Sequence, residues 1–290
     1  MMSYRITTDS TSDFPRQFYE ENDIAVVGLS FLIDEQEYNE SKDLKLSSKE
    51  FYDLLRSGKT ATTMQVNTFE FVEFIEPFLA AGEDVLHIAF SSGLSGTYES
   101  CFRGAQELSE KYPDRTLIVI DTLAASMGEG LLVHYAMENR KNGMSIQENA
   151  AWLEENKLHL CHWFTVNDLM HLHRGGRVSK ASAIFGSLLG IKPVLHVDNE
   201  GHLILVSKSR GRVASIDALV SKLKETANDD IAEQAVFISH GDCLDDAKLL
   251  EEKIRSAVGT SKFMISNVGA VIGSHSGPGT LALFFMGKQR

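Results

Sequence analysis

A unit of strand, small-residue loop and helix occurs three times in the first half of this chain and constrains its fold more than any other feature. The strands are predicted at residues 4–8, 84–90 and 116–121. The loops that follow read DSTSD, SSGLSGT and TLAASMGEG, and each leads into a helical segment. Strands that alternate with helices pair in parallel, so the sequence predicts a parallel sheet with helices on its faces.

Two further helices are predicted between the first and second units, because each opens with a capping pattern. Ser47 precedes Glu50 by three positions, and Asn67 precedes Glu70 in the same way. Such pairs satisfy backbone N–H groups at a helix N-terminus. We expect residues 60–66 (TATTMQV), which lie between these helices, to form a polar connector.

The second half of the chain mixes hairpins with helices. Two strand-like segments flank D-N-E-G, which has hairpin spacing and offers Gly201 for a positive φ. The sequence therefore predicts an N-terminal α/β domain at residues 1–158 and a C-terminal α+β domain at residues 159–290. A helix predicted at residues 145–156 ends the first half. In the second half, strands are predicted at residues 159–166, 191–197, 202–207 and 234–239, and helices at residues 167–173, 213–227 and 244–258.

Composition excludes several classes of partner. The 290 residues carry a formal net charge of −12, which argues against nucleic acid and anionic membranes as partners. No segment approaches the roughly 20 apolar residues of a membrane span, and the N-terminus lacks the apolar region of a secretory signal. Cys101, Cys161 and Cys243 form no C-x-x-C pair. We expect a soluble, cytoplasmic protein without stable membrane insertion.

Familiar motifs for cofactors and metals are incomplete. Residues 58–60 (GKT) resemble the end of a P-loop, but Asp53 stands where that pattern needs glycine. Residues 128–130 (GEG) lack the third glycine of the dinucleotide fingerprint. A group of histidines lacks the partners at fixed offsets that zinc enzymes show, so we predict no metal and no cofactor. These histidines are His159, His162, His171 and His173.

Residues 93–97 (GLSGT) keep one enzymatic alternative open. They are close to the G-x-S-x-G nucleophile elbow of serine hydrolases, but the last position is the branched Thr97. A hydrolase that uses Ser95 as nucleophile and His275 as base is therefore the alternative from a different functional class.

Four loops rich in small hydroxyl side chains indicate an anion site. They begin at Asp9, Thr60, Ser91 and Ser274. Three of them fall at the ends of predicted strands or before helices, where an open α/β sheet places its ligand crevice. Hydroxyls and helix N-terminal amides can bind an anion without lysine. His275 lies in the last loop beside glycines and a proline, where we expect it to donate to a bound group. Taken singly, each such loop is better explained by helix capping, but the occurrence of four such loops weakens that explanation.

Five ordered segments of the chain resemble the DegV family of fatty-acid-binding proteins. They span the chain from its first strand almost to its last. They are TDSTSD (8–13), SSGLSGTYES (91–100), RGGRVSK (174–180), LLGIKPVLH (188–196) and IGSHSGPGT (272–280).

This resemblance implies a doubly wound N-terminal domain and an α+β C-terminal domain, with a lipid tunnel between them. It also implies a non-catalytic protein that binds one long-chain fatty acid such as palmitate. In the fatty acid kinase system, members of the family present this lipid to a separate ATP-dependent kinase, which converts the carboxylate to an acyl phosphate.

The resemblance assigns the carboxylate ligands residue by residue: Thr63, Ser95 and His275. Their neighbours in sequence are candidate supporting residues, namely Thr62, Ser92, Met64 and Gly96. Where the family reads T-S-Q-P, this chain has Thr63-Met64-Gln65-Val66. Met64 is expected to enter the acyl tunnel, where a flexible thioether fills irregular space. A protonated His275 would strengthen its bond to the carboxylate.

Two arginines on polar turns match basic positions of the family. Arg177 in RGGR and Arg210 in SKSRGR are expected to contact the kinase or its phosphate, because arginine can bind such groups through two parallel hydrogen bonds. Loss of the serine and proline after Thr63 leaves a second alternative, a scaffold that no longer binds lipid.

Overall fold

The computed structural model describes residues 4–42, 46–179 and 190–290. Its strands are β1 (Tyr4–Asp9), β2 (Ala25–Val27), β3 (Ser30–Ile33), β4 (Gln36–Asn39), β5 (Ala61–Met64), β6 (Asp84–Ala89), β7 (Leu117–Asp121), β8 (Leu160–Thr165), β9 (Ile191–Val197), β10 (Leu203–Arg210), β11 (Val236–His240), β12 (Phe263–Asn267) and β13 (Leu281–Met286). Its helices are α1 (Arg16–Glu21), α2 (Ser48–Arg56), α3 (Thr68–Ala80), α4 (Thr97–Lys111), α5 (Met127–Lys141), α6 (Ile146–Asn156), α7 (Leu169–Arg174), α8 (Arg212–Thr226), α9 (Leu244–Val258) and α10 (Ala270–Ser276). Lys180 of the RGGRVSK segment and Leu188 and Leu189 of the LLGIKPVLH segment lie outside the described residues.

Four strands form the parallel sheet that the repeated unit predicts. Their order is β2-β1-β6-β7, and every neighbouring pair is parallel. Successive side chains of a strand point to opposite faces. Leu86 and Ile88 of β6 therefore pack with α5 and α6, whereas Val85 packs with α3 and α4. Helices cover both faces, so the doubly wound architecture is confirmed.

A second sheet contains three antiparallel strands in the order β4-β3-β5. β5 lies within the segment predicted to be a connector, so that prediction was wrong. Thr62 and Thr63 face opposite sides of β5 and are both polar, which leaves no apolar alternation for sequence reasoning to detect. The strand forms through its pairing with the distant β3, where Thr63 lies opposite Phe31. The predicted capping boxes at the starts of α2 and α3 are both present.

The second half of the chain builds a six-stranded mixed sheet in the order β10-β9-β8-β13-β11-β12. β11 and β12 are parallel, and the other neighbouring pairs are antiparallel. β9 and β10 form the predicted hairpin, with Gly201 at a φ of +80°. The mixed sheet with its helices confirms the predicted α+β character. β12 and α10 were not predicted.

α5 lies between the two large sheets. It contacts β1 and β6 of the parallel sheet and β8, β11 and β13 of the mixed sheet. Its apolar residues, including Met127 and Leu131, belong to the same buried cluster as Phe164 of β8 and Phe284 of β13. Because α5 packs on both sheets, the packing does not separate the two halves of the chain. The domain boundary after residue 158 therefore stays a prediction. Across the described ranges, every helix is too short or too polar to traverse a bilayer.

Candidate functional site

A cavity of about 160 Å³ is lined by residues from both halves of the chain. Most of its wall is apolar. The apolar side chains are Leu29, Phe90, Leu94, Ala125, Phe164, Leu172, Val197, Leu203, Val268, Val271, Ile272, Ala282 and Phe284. The polar ones are Thr63, Gln65, Ser95, Ser126, His162, Arg177, Ser239, His275, Ser276 and Thr280.

Thr63 and His275 meet at this cavity. Thr63 lies on β5, and its Oγ1 is 2.8 Å from Nε2 of His275. His275 lies in the last turn of α10, directly before a turn in which Gly277 and Gly279 both have positive φ. The backbone of Gly175 approaches Nδ1 of His275 so closely that a methyl group on Gly175 would overlap the ring. The ring is therefore held from two sides.

Ser95 reaches the same cavity from the loop between β6 and α4. Its Oγ accepts a hydrogen bond from the Thr97 backbone N–H at 3.2 Å and lies 2.9 Å from Thr97 Oγ1. When Thr97 donates its hydroxyl proton to Ser95, the Ser95 O–H is free to donate to a ligand. Gly96 is in contact with the Gln65 side chain, and a side chain at position 96 would displace it.

Burial determines the charge of His275. Together with a smaller contribution from the positive charge of Arg177, it lowers the pKa of His275 to about 4. The imidazole is therefore neutral at pH 7. A carboxylate bound beside it would favour the charged form and raise this pKa.

Arg177 is half-buried in the cavity wall rather than on an open turn. Its Nε and one terminal nitrogen donate to the Leu94 carbonyl at 3.1 and 2.8 Å, and its other terminal nitrogen donates to the Gly175 carbonyl. Desolvation lowers the pKa of its guanidinium. Arg177 therefore ties the Ser95 loop to the segment that contacts His275. Arg210 is exposed at the end of β10.

A second cavity adjoins the first and shares Thr63, Arg177 and His275 with it. We call it the basic vestibule, because Lys59 and Arg174 also line it, beside His171. Lys59 forms an exposed ion pair with Asp34, and Arg174 contacts Nδ1 of His171 at 3.0 Å. The polar end of the main cavity thus faces a region rich in basic side chains.

Three of the candidate supporting residues lie outside the main cavity. Side chains alternate along β5, so Thr62 and Met64 point away from Thr63. Met64 is 41% exposed, which corrects the expectation that it enters an acyl tunnel. Ser92 is exposed, and its backbone N–H donates to Asp121. Gly96 lies at the cavity only through its contact with Gln65.

The loop DSTSD does not line the main cavity. Asp9 and Asp13 are buried. The Thr11 hydroxyl bridges Asp9 and Glu129, and Ser10 donates its hydroxyl to Glu40. Burial raises the pKa of Asp9 to about 6 and that of Glu40 to about 7. The high number of hydroxyl side chains had suggested that this loop binds a ligand. In the structure, these hydroxyls belong to a buried hydrogen-bond network instead.

Sequence reasoning missed several polar residues of the cavity wall. Ser126 and Ser239 are 2.9 Å apart, and Ser126 also donates to Asp13. Among the residues that the structure describes, neither ring nitrogen of His162 has a hydrogen-bond partner of normal geometry. The one sequence signal for His162 was its membership of the histidine group. In the described part of the chain, the one trio with metal-ligand spacing is Asp198, Glu200 and His202, on the rim of a hairpin. Exposed acidic groups of this kind are common without an ion.

The geometry does not favour a serine hydrolase. A nucleophilic serine needs a base within hydrogen-bond reach. Among the described residues, His275 bonds to Thr63 and Ser95 bonds to Thr97, with no hydrogen bond between Ser95 and His275. The arrangement presents hydroxyl donors and an imidazole at one end of an apolar cavity.

Comparisons with known proteins point to one family. The model of the DegV family, described as one of uncharacterised proteins, matches residues 3–288. A DegV domain-containing protein of Clostridium perfringens is 46% identical over 291 residues, covering 100% of this chain and 99% of that protein. A DegV family protein from Thermus thermophilus, described as binding fatty acid, is 29% identical with a TM-score of 0.86, covering 99% of this chain and 100% of that one. DegV from Bacillus subtilis, described as a fatty acid binding protein, is 30% identical with a TM-score of 0.83 and the same coverage.

Proposed function

Because this chain belongs to the DegV family, we propose that it binds one long-chain fatty acid in the main cavity and presents it to a separate kinase. The carboxylate would lie at Thr63, Ser95 and His275. One observation carries this proposal: three residues from distant parts of the chain converge on a single cavity with an otherwise mostly apolar wall. The fatty-acid binding described for the relatives from Thermus thermophilus and Bacillus subtilis supports the same ligand class.

The apolar wall would supply most of the affinity. Removing about 14 methylenes from water at roughly 0.8 kcal/mol each contributes on the order of 11 kcal/mol. A bilayer is as apolar as the cavity, so transfer of a lipid from a membrane gains much less. Recognition of the head group therefore decides whether the lipid stays in the protein.

The head group would be held by hydroxyl donors. With its proton on Nε2, His275 donates to Thr63 Oγ1 at 2.8 Å, and the Thr63 O–H becomes free to donate to the carboxylate. Ser95 offers a second O–H from the opposite loop. The positive charge of Arg177 lies close enough to affect the pKa of His275 and would also favour an anion.

The basic vestibule supports presentation to a kinase. It joins the head-group end of the cavity and carries basic side chains, which a phosphoryl group would favour. We propose that Arg177 and Arg210 contact the kinase or its phosphate, and that the protein itself is not an enzyme. Its free cysteines, Cys101, Cys161 and Cys243, support the cytoplasmic location that we assign to it.

Native mass spectrometry of the purified protein tests the ligand. We expect one stoichiometric fatty acid, and loss of that lipid in a double variant, Ser95→Ala with His275→Ala, that stays folded. A matched control, Ser221→Ala with His202→Ala, changes the same residue types at exposed positions and should keep full occupancy. Unchanged occupancy in the first variant would show that the head-group residues are wrongly assigned.

Two further measurements separate the alternatives. A fluorophosphonate probe labels Ser95 only if the protein is a hydrolase. Delipidated protein that takes up no added palmitate would favour a scaffold without lipid. For the kinase step, an ATP-dependent fatty acid kinase should form acyl phosphate with the loaded protein. Arg210→Ala should slow this reaction more than a control, Arg103→Ala, which changes an exposed arginine on α4.

A further inference from the structure

Glu40 joins the N-terminal part of the chain to the start of α10. Its Oε1 accepts a hydrogen bond from the Val271 backbone N–H at 3.0 Å, although the two residues are 231 positions apart. Its other oxygen, Oε2, accepts from Ser10 Oγ at 2.7 Å. Both carboxylate oxygens are thus bonded, one toward its own half of the chain and one toward α10.

Two neighbouring residues fix the same end of α10. Asp13 Oδ1 accepts from the Gly269 backbone N–H at 3.0 Å, and Tyr52 donates its hydroxyl to the Val268 carbonyl at 2.9 Å. The helix also packs directly on the Tyr52 ring, because a methyl group on Gly273 would overlap it. The entry to α10 is therefore anchored by three hydrogen bonds at two peptide groups, Val268–Gly269 and Ala270–Val271.

Glu40 and Thr63 are both connected to the three-stranded sheet. Glu40 directly follows β4, and its backbone N–H donates to the carbonyl of Leu29, the residue just before β3. β4 pairs with β3, and β3 pairs with β5, which carries Thr63. The three-stranded sheet therefore holds α10 at both ends, through Glu40 at Val271 and through Thr63 at His275.

We propose that Glu40 is a positioning residue for the head-group site, because its bond to the Val271 amide sets where α10 places His275 against Thr63. This inference rests on the proposed function for its ligand, but the contact between Glu40 and α10 exists without one. α10 contains only seven residues, so a shift at Val271 is carried to His275 within little more than one helical turn.

The chemistry of the contact predicts which substitutions restore it. The bond needs an acceptor at the Oε1 position and does not need a charge. Glutamine has the same length and keeps a carbonyl oxygen there, whereas alanine removes the acceptor and aspartate is one methylene too short to reach. A buried N–H that loses its partner favours rearrangement of the helix start.

The test compares Glu40→Ala, Glu40→Gln and a control, Glu37→Ala, which changes an exposed glutamate on β4. The first readout is the dissociation rate of bound palmitate. We expect it to rise about tenfold in Glu40→Ala, as for the loss of one buried hydrogen bond. It should stay within about twofold of the natural protein in the other two.

The second readout is the His275 imidazole signal in NMR spectra of lipid-free protein. It should move in Glu40→Ala and return to its natural position in Glu40→Gln. If Glu40→Ala does not fold, Glu40→Asp takes its place with a smaller expected change in the same direction.

Unchanged palmitate dissociation and an unmoved His275 signal in a folded Glu40→Ala protein would overturn the inference. So would a glutamine variant as impaired as the alanine variant. If the natural protein takes up no palmitate but the His275 signal still follows Glu40, the proposed function fails and the positioning role stands.

Discussion

Thr63 and His275 are 212 positions apart in the chain, yet Thr63 Oγ1 lies 2.8 Å from His275 Nε2 in the wall of one cavity. Burial and Arg177 keep the imidazole neutral at pH 7. A neutral imidazole carries one N–H. When that proton is on Nε2 and is donated to Thr63 Oγ1, the Thr63 O–H is free to donate to a ligand. The pair therefore acts as one unit toward a bound carboxylate.

Replacing Thr63 by valine should weaken fatty acid binding about tenfold, because the branched shape is kept and one hydrogen bond to the carboxylate is lost. Thr63→Ser retains the hydroxyl and should bind nearly as well as the natural protein. Competition with a fluorescent fatty acid measures both affinities. Equal affinity in the valine variant would remove Thr63 from the head-group site.

Gly175→Ala should disrupt the site by steric overlap. Gly175 has a φ of −74°, so alanine is allowed there by the backbone, but its methyl group would meet His275 Nδ1. We expect fatty acid occupancy in native mass spectra to fall severalfold while the thermal midpoint changes little. Full occupancy would mean that His275 can move without consequence for the ligand.

The sequence predicted those parts of the fold that local patterns determine. The three units of strand, loop and helix gave the parallel sheet, and D-N-E-G gave the β9–β10 hairpin. β5 escaped prediction because its strand character comes from pairing with β3, and pairing between distant segments leaves no local pattern.

The candidate site was predicted through the resemblance, but its orientation was not. Family motifs brought together Thr63, Ser95 and His275, which line one cavity. The motifs do not indicate which face of β5 lines the cavity. Met64 was therefore expected in the cavity, whereas its side chain points away from it. Arg177 was expected on a polar turn, whereas its bonds to backbone carbonyls hold it in the cavity wall.

Glu40→Gln should become progressively more stable than the natural protein as the pH rises from about 4.5 to about 7. In the folded protein, desolvation raises the pKa of Glu40 to about 7, from an ordinary value of 4.5 that applies after unfolding. Between these values the folded state keeps a proton that the unfolded state has lost, so the natural protein loses stability as the pH rises through this window.

Glutamine does not titrate, so the variant does not lose stability through this group. The substitution also removes a charge that helps to raise the pKa of Asp13, and this effect likewise favours the variant as the pH rises. The difference in unfolding free energy, measured by urea denaturation, should therefore be larger at pH 8 than at pH 5. It should change little above pH 8, where Glu40 is ionised in both states. A difference that is equal at pH 5 and pH 8 would show that the Glu40 carboxyl titrates normally in the folded protein.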